Sequence, residues 1–397
     1  MPYNFCRRAC FILATLCFNA SAPAADEQQT NNTLSPEELV EGWVLLFDGE
    51  TLFGWQANNQ ANWRVTDGAI AVSQGDQGLL TTTSEFADYQ LKLHFRADKS
   101  TNSGIFLRTP AKPTDPASDC YELNVAADDN PFPTGGFVKR QKSEGGHTTG
   151  QWQLYDITAE GGHFTVKLDG RLVLDYTDPS PVRRGFIGLQ LNQGPVAFRN
   201  IKLRPLGLKD VFNGRDLSGW KEYPGTKNKS EFSVTPTGDL NVKNGPGQLE
   251  TESRYGDFVL QLEAFVNGRN LNSGIFFRSI PGDWWMGYES QIHNGYSDDD
   301  RTRPLDFGTG AIYRRQKARK VVSNDFEWFY KTIVASGNHV AVWVNGQQVT
   351  DWTDNRAPNE NPREGQRTEP GAIIIQGHDP TTDISFRHLR AAEMPKR

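Results

Sequence analysis

The sequence has 397 residues, a length for two or three domains. Hydrophobic residues make up 37% and charged residues 23%, an ordinary globular balance. The net charge is −6, with both signs spread along the chain, so neither nucleic acid nor an anionic membrane finds a concentrated basic patch.

Residues 1–24 read as a secretory signal: Arg7 and Arg8, an apolar run from Ala9 to Phe18, then Ala22-Pro23-Ala24 as a small-x-small cleavage site. The run is too short for a permanent membrane span, so the mature chain is expected to be exported, periplasmic or extracellular, with no integral membrane segment. Cys6, Cys10 and Cys17 fall in this signal, and Cys120 is left alone with no partner for an internal disulfide. Residues 25–42 form a leader with one short helix, capped by Ser35, opened by Pro36, with Glu38 at the capping-box position and Gly42 as its stop.

The rest is written twice, as residues 43–204 and 208–392, joined by Pro205-Leu206-Gly207, a linker short enough for the copies to touch. Phe47-Asp48-Gly49 and Gly54-Trp55 return as Phe212-Asn213-Gly214 and Gly219-Trp220. Asn102-Ser103-Gly104-Ile105-Phe106-Leu107-Arg108 returns as Asn272-Ser273-Gly274-Ile275-Phe276-Phe277-Arg278, and Tyr121-Glu122 returns as Tyr288-Glu289. The second copy carries insertions, one holding Trp284-Trp285 and one from about Asn355 to Glu369. The apolar period is two: Tyr89, Leu91, Leu93 and Phe95 alternate with polar residues, as do Leu260, Leu262 and Ala264 with Gln261 and Glu263. Asp169-Gly170 and Asn345-Gly346 between apolar runs read as type I′ hairpin turns. Many strands and almost no helix make an all-β sandwich or barrel.

Leu34-Ser35-Pro36-Glu37-Glu38, Leu46-Phe47-Asp48-Gly49, the Asn-Ser-Gly-Ile strands, Gly185-Phe186-Ile187-Gly188-Leu189-Gln190 and Phe198-Arg199-Asn200-Ile201 resemble the 3-keto-disaccharide hydrolase family. The resemblance covers nearly all of the mature chain, once per copy. It implies two tandem concanavalin A-like jelly-roll β-sandwich domains and action on sugars oxidised at C3. A ketone at C3 acidifies the C2 hydrogen, so a base can form the enolate and expel the C1 substituent before water adds back. This needs a base, groups for the enolate oxygen and an acid for the leaving group. No Glu-x-Asp-x-x-Glu strand is present, which disfavours two-carboxylate hydrolysis.

Residues two apart on a strand share a face, so Glu289 and Gln291 lie together, as do Glu122 and Asn124 in the first copy. A ligand-lined face explains such polar pairs, and so does a face open to water. Arg278 and Arg108 end their strands and could hold a sugar oxygen or an enolate, or serve as structural ion pairs. Asn272-Ser273-Gly274 and its first-copy match read as tight turns. His378 suits acid–base work, and the first copy has Asn192 near that place. A divalent metal is the one cofactor the sequence suggests, and Glu289, His293 and His378 would be its ligands. Trp284, Trp285 and Tyr313 are candidates for stacking on a sugar ring, while Trp328 with Phe329 and Tyr330 reads as core. Ser297-Asp298-Asp299-Asp300 reads as a solvated acidic turn rather than a calcium loop.

The expected function is cleavage of 3-keto-glycosides, as hydrolase or lyase. Glu289, His378, Arg278 and Gln291 are placed as catalytic residues, and Trp284, Trp285, Tyr313, Glu122 and Arg108 as substrate contacts. The alternatives are a lectin-like carbohydrate-binding protein and a cell-surface interaction module.

Overall fold

The computed structural model describes Met1 and residues 31–396; the expected signal, with its three cysteines, lies outside the described residues. The leader helix is Pro36–Glu41, with Ser35 and Glu38 closing the capping box and Gly42 turning left-handed at φ 89°. Everything after it is strand and turn.

Each copy is a sandwich of one eight-stranded and one five-stranded antiparallel sheet, in the same strand order in both copies. In the second copy the large sheet runs Glu231–Val234, Leu240–Lys243, Asp383–Glu393, Phe258–Val266, Trp328–Ser336, His339–Val344, Gln347–Thr353, with Lys209–Asp210 added on Asp383–Glu393. Its small sheet runs Trp220–Glu222, Gly247–Thr251, Ala372–Gly377, Ser273–Ser279, Tyr288–Ile292. The matching small sheet of the first copy is Trp55–Ala57, Gly78–Thr82, Phe186–Leu191, Asn102–Thr109, Tyr121–Ala126. Asp169-Gly170 and Asn345-Gly346 take positive φ at both residues, as type I′ turns require.

The alternation of Tyr89–Ala97 is the burial pattern observed there. Phe258–Val266 differs, because its polar residues Gln261 and Glu263 are buried too. At Gln261 the reason is the first copy and its leader, which cover the outer face of the second copy's large sheet; at Glu263 it is Arg387 and His388 of the same sheet, which close on the carboxylate. Val259, Val334, Ala341 and Trp343 point away from their own core and join the first copy's cluster around Phe86 and Leu46. The Trp343 indole is 6.4 Å from the Phe86 ring and donates to the Leu45 carbonyl at 2.8 Å. The Gln261 amide donates to the Gly42 carbonyl at 2.7 Å. Arg184 of the first copy reaches Asp257 of the second at 2.6 Å, and Arg319 of the second reaches Asp48 of the first at 2.8 Å. Apolar burial and satisfied polar groups thus fix the two sandwiches as one body.

Trp328 corrects its expected place in the core. Phe329 enters the core, but strand alternation turns Trp328 outward, half-buried beneath the Arg387 guanidinium at 4.0 Å.

Candidate functional site

On the second copy's small sheet, Ile275, Phe277, Tyr288, Ile292, Ile373 and Ile375 point into the core. The intervening residues Gly274, Phe276, Glu289, Gln291, Ile374 and Gln376 therefore make the outer face. Ser273-Gly274 is not a turn here but the start of the strand Ser273–Ser279, with Asn272 just before it, and glycine serves another end. A Cβ on Gly274 would lie 2.7 Å from Glu289 Oε1, so its absence lets the carboxyl fold across the neighbouring strand.

The aromatic insertion walls this face. Trp285 stacks 6.4 Å from Phe276, and Trp284 stacks 5.0 Å from Trp285. The loop is pinned to the strand Gly247–Thr251: Trp285 N–H donates to Gln248 Oε1 at 2.8 Å, its indole to the Gly247 carbonyl at 3.1 Å, and Gly282 N–H to Glu250 at 3.0 Å. A cleft of about 440 Å³ results, lined by Trp284, Trp285, Met286, Glu289, Gln291, Tyr313, Arg314, Arg363, Gln376 and His378.

Glu289 is 5% exposed, and burial pushes its carboxyl up to about 7, against the pull of Arg363 and His378. Arg363 comes from the second insertion, over the Phe276 ring, bonded to the Trp285 carbonyl at 3.1 Å and 3.5 Å from Glu289 Oε2. His378 follows the strand Ala372–Gly377, its ring parallel to Trp285 at 6.3 Å, and its Nδ1 is 2.8 Å from Asp379. Burial opposes ionisation of Asp379, but hydrogen bonds from Thr381 and His378 hold its carboxyl below the usual range. The carboxylate thus orients the imidazole and leaves Nε2 for the cleft. Gln291 donates to Asp306 at 2.8 Å, while its Oε1 and that of Gln376 are buried without a partner. Tyr313 is held by its backbone N–H on the Glu289 carbonyl, 2.9 Å.

Glu289, Gln291, His378, Trp284, Trp285 and Tyr313 are thus brought together. Arg278 and Arg108 are not, which corrects their expected role. Both have positive φ, 48° and 52°, beside a register shift that rolls each side chain off the face. Arg278 is buried on the carbonyls of Gly256, Gly337 and Arg367 and on Asp257 at 2.8 Å; Arg108 repeats this with Ala87, Gly161, Val182 and Asp88 at 2.9 Å. They are anchors of the fold: four of the five N–H groups of each are spent on these partners, and both side chains are buried away from the cleft. His293 also stays off the lining; its Nδ1 accepts from Gly295 N–H at 3.3 Å. Among the described residues no three His, Cys, Asp or Glu side chains converge to hold a metal, so Glu289, His293 and His378 do not form that group. Glu122 keeps its place in the first copy, 6% exposed and pushed up to about 7 by burial.

Arg363, Gln376 and Asp379 escaped the sequence reading. Gln376 carried a signal, a polar residue two before His378 at the end of an Ile run. Arg363 carried none, since nothing in a long insertion says where it folds back.

The family described as 3-keto-alpha-glucoside-1,2-lyase-like domain matches residues 42–204 and again 207–392. A 3-keto-disaccharide hydrolase of Bacteroides thetaiotaomicron is 26% identical over a stretch covering 25% of this chain and 44% of its own, so the chain spans less than half of that relative. A solved structure of a candidate glycosyl hydrolase from Parabacteroides distasonis is 21% identical, with TM-score 0.40, covering 45% of this chain and 100% of its own. A carbohydrate-binding module from Bacillus subtilis is 19% identical, with TM-score 0.31, covering 38% of this chain and 94% of its own.

Proposed function

The chain belongs, in both its copies, to the family of 3-keto-alpha-glucoside-1,2-lyase-like domains, and on that premise we propose that its second copy cleaves 3-keto-glycosides outside the cytoplasm. One observation carries this reading: a buried carboxyl, Glu289, poised at about 7 in a cleft that also holds a carboxylate-oriented histidine. A base for the weakly acidic C2 hydrogen works best with a pKa near the working pH.

Glu289 takes the proton from C2. The electron pair moves to C3–O, giving an enolate, and Arg363 is the donor beside Glu289 that can take up the charge on that oxygen. The enolate collapses, the C1–O bond breaks, and His378 Nε2 gives its proton to the leaving oxygen. Water adds at C1 of the unsaturated 3-keto sugar and a proton returns to C2, completing hydrolysis; release before this step makes the protein a lyase. Trp284, stacked on Trp285, offers its outer ring face to the C–H face of a pyranose. Export rests on the N-terminal pattern of basic, apolar and small residues.

The test is release of a chromogenic aglycone from a 3-keto-glucoside, beside the unoxidised glucoside. Release from the keto form alone is expected. Equal release from both would overturn the C2-proton route, and binding without release from either would make the aromatic wall that of a carbohydrate-binding module.

A further inference from the structure

Lys331 lies in the core of the second sandwich, on the reverse side of the strand that carries Glu289. It alternates with Phe329 and Ile333 as an inward residue of Trp328–Ser336 and is 1% exposed. Its ammonium donates to the carbonyls of Ser290 and Gln291, each at 2.9 Å. Among the described residues no carboxylate forms an ion pair with it. Stripping water from an ammonium that has no carboxylate beside it is strongly unfavourable, and an apolar side chain there would be the more stable choice.

The first copy shows that the fold does not need this charge. Lys331 stands opposite Leu262 in its sheet, and Tyr155 stands opposite Leu93 at the corresponding place. The Tyr155 hydroxyl donates to the carbonyl of Asn124, the counterpart of Gln291, at 2.7 Å. Both copies thus clamp the strand behind its polar face, but only the second does so with a cation.

We propose that Lys331 is a positioning residue of the cleft: it clamps the Ser290–Gln291 backbone and sets positive charge behind the Glu289 carboxyl, so that this group can act as a base in a face emptied of water. The role rests on reading Glu289 as the base. On the cleft side Glu289 faces Arg363, His378 and Asp306; on the core side the ammonium stands behind it. Burial drives Glu289 up to about 7 and Lys331 down to about 7, with Glu289 pulling Lys331 back up. Removing the ammonium takes away a charge that favours the carboxylate, and Glu289 must then ionise at higher pH.

Two variants separate the clamp from the charge. Lys331→Met removes both; Lys331→Tyr keeps a donor for the strand, as in the first copy, without the charge. The readout is the carboxyl ¹³C titration of glutamate-labelled full-length protein, with the Glu289 signal assigned by its loss in Glu289→Gln. Both variants are expected to move the Glu289 midpoint upward by about one pH unit, and the acid limb of kcat/KM with it. Lys331→Tyr is expected to melt no lower than the parent. An unchanged midpoint in folded Lys331→Tyr overturns the proposal, and that variant decides if Lys331→Met does not fold. The two readings fail separately: an unchanged midpoint beside normal turnover sinks the role of Lys331, whereas a shifted midpoint in a protein that cleaves nothing sinks the cleavage reading alone.

Discussion

Glu122 and Glu289 occupy the same position on the same strand of two equivalent sheets, and burial pushes each up to about 7. Around them the copies part. Where the second copy has His378 held by Asp379, the first has Asn192, bonded to Gln77 at 2.6 Å. Beside the paired tryptophans of the second copy, the first has Thr109 leading through Pro110 to Cys120, a buried thiol on a small apolar patch with Leu79 and Phe106. Glu122 feels the charge of Lys139, which is itself paired with Asp115 at 3.0 Å, whereas Arg363 reaches Glu289 directly. A desolvated carboxyl follows from the sheet alone, since Gly104 and Gly274 both make room for it. His378, Arg363 and the paired tryptophans come from loops of the second copy, and the first copy has none of them at the matching places.

The largest expected effect tests this division. Glu289→Gln should lower kcat/KM on a 3-keto-glycoside by about 10³-fold, within the range for loss of a general base. Glu122→Gln should leave it unchanged within twofold, by the same steady-state assay. Equal losses in both variants would mean that two sites share the work, and a loss in Glu122→Gln alone would move the chemistry to the first copy.

The anchors should break the other way, with no difference in chemistry. Replacing Arg108 or Arg278 by Met leaves three carbonyls and a carboxylate without their guanidinium. Each change should cost about 3–5 kcal/mol by urea denaturation, since three carbonyls lose their donor at about 1–3 kcal/mol apiece. KM of the folded fraction should not move. A rise in KM for Arg278→Met with stability intact would restore Arg278 to the substrate.

The sandwich was legible because period-two burial and the repeat are written in the chain: Tyr89–Ala97 alternates as read, and the Asp-Gly and Asn-Gly turns fall where expected. Glu289 and Gln291 were legible because strand phase puts them on one face, and His378 because an imidazole at the end of an apolar strand suits acid–base work. The same phase argument failed at Arg278, where a bulge and a left-handed residue break the period. It failed at Gln261 because the leader packs on that face, and at Glu263 because Arg387 and His388 of its own sheet close on the carboxylate. Arg363 and Lys331 were out of reach for a different reason. One depends on how a long loop folds back, and the other on which residue faces a strand across the core, and neither distance is local in sequence.

The smallest effect concerns the wall. Trp284 is the outer of the two stacked indoles, resting edge-on to Tyr223 at 4.7 Å, whereas Trp285 is fixed by its own hydrogen bonds and by Phe276 beneath it. Removing Trp284 should therefore leave the loop, Arg363 and Glu289 in place and subtract only a stacking face. Aromatic contacts of this kind contribute about 0.5–1.5 kcal/mol beyond area burial, so Trp284→Ala should raise KM by about tenfold at most with kcat little changed. Because stacking on one sugar ring does not depend on the ketone of the other, binding of the unoxidised disaccharide by calorimetry should weaken by a similar factor. If kcat falls instead and binding holds, the tryptophan acts on the reacting ring. The wall would then belong to the chemistry that separates the second copy from the first, rather than to sugar capture in front of it.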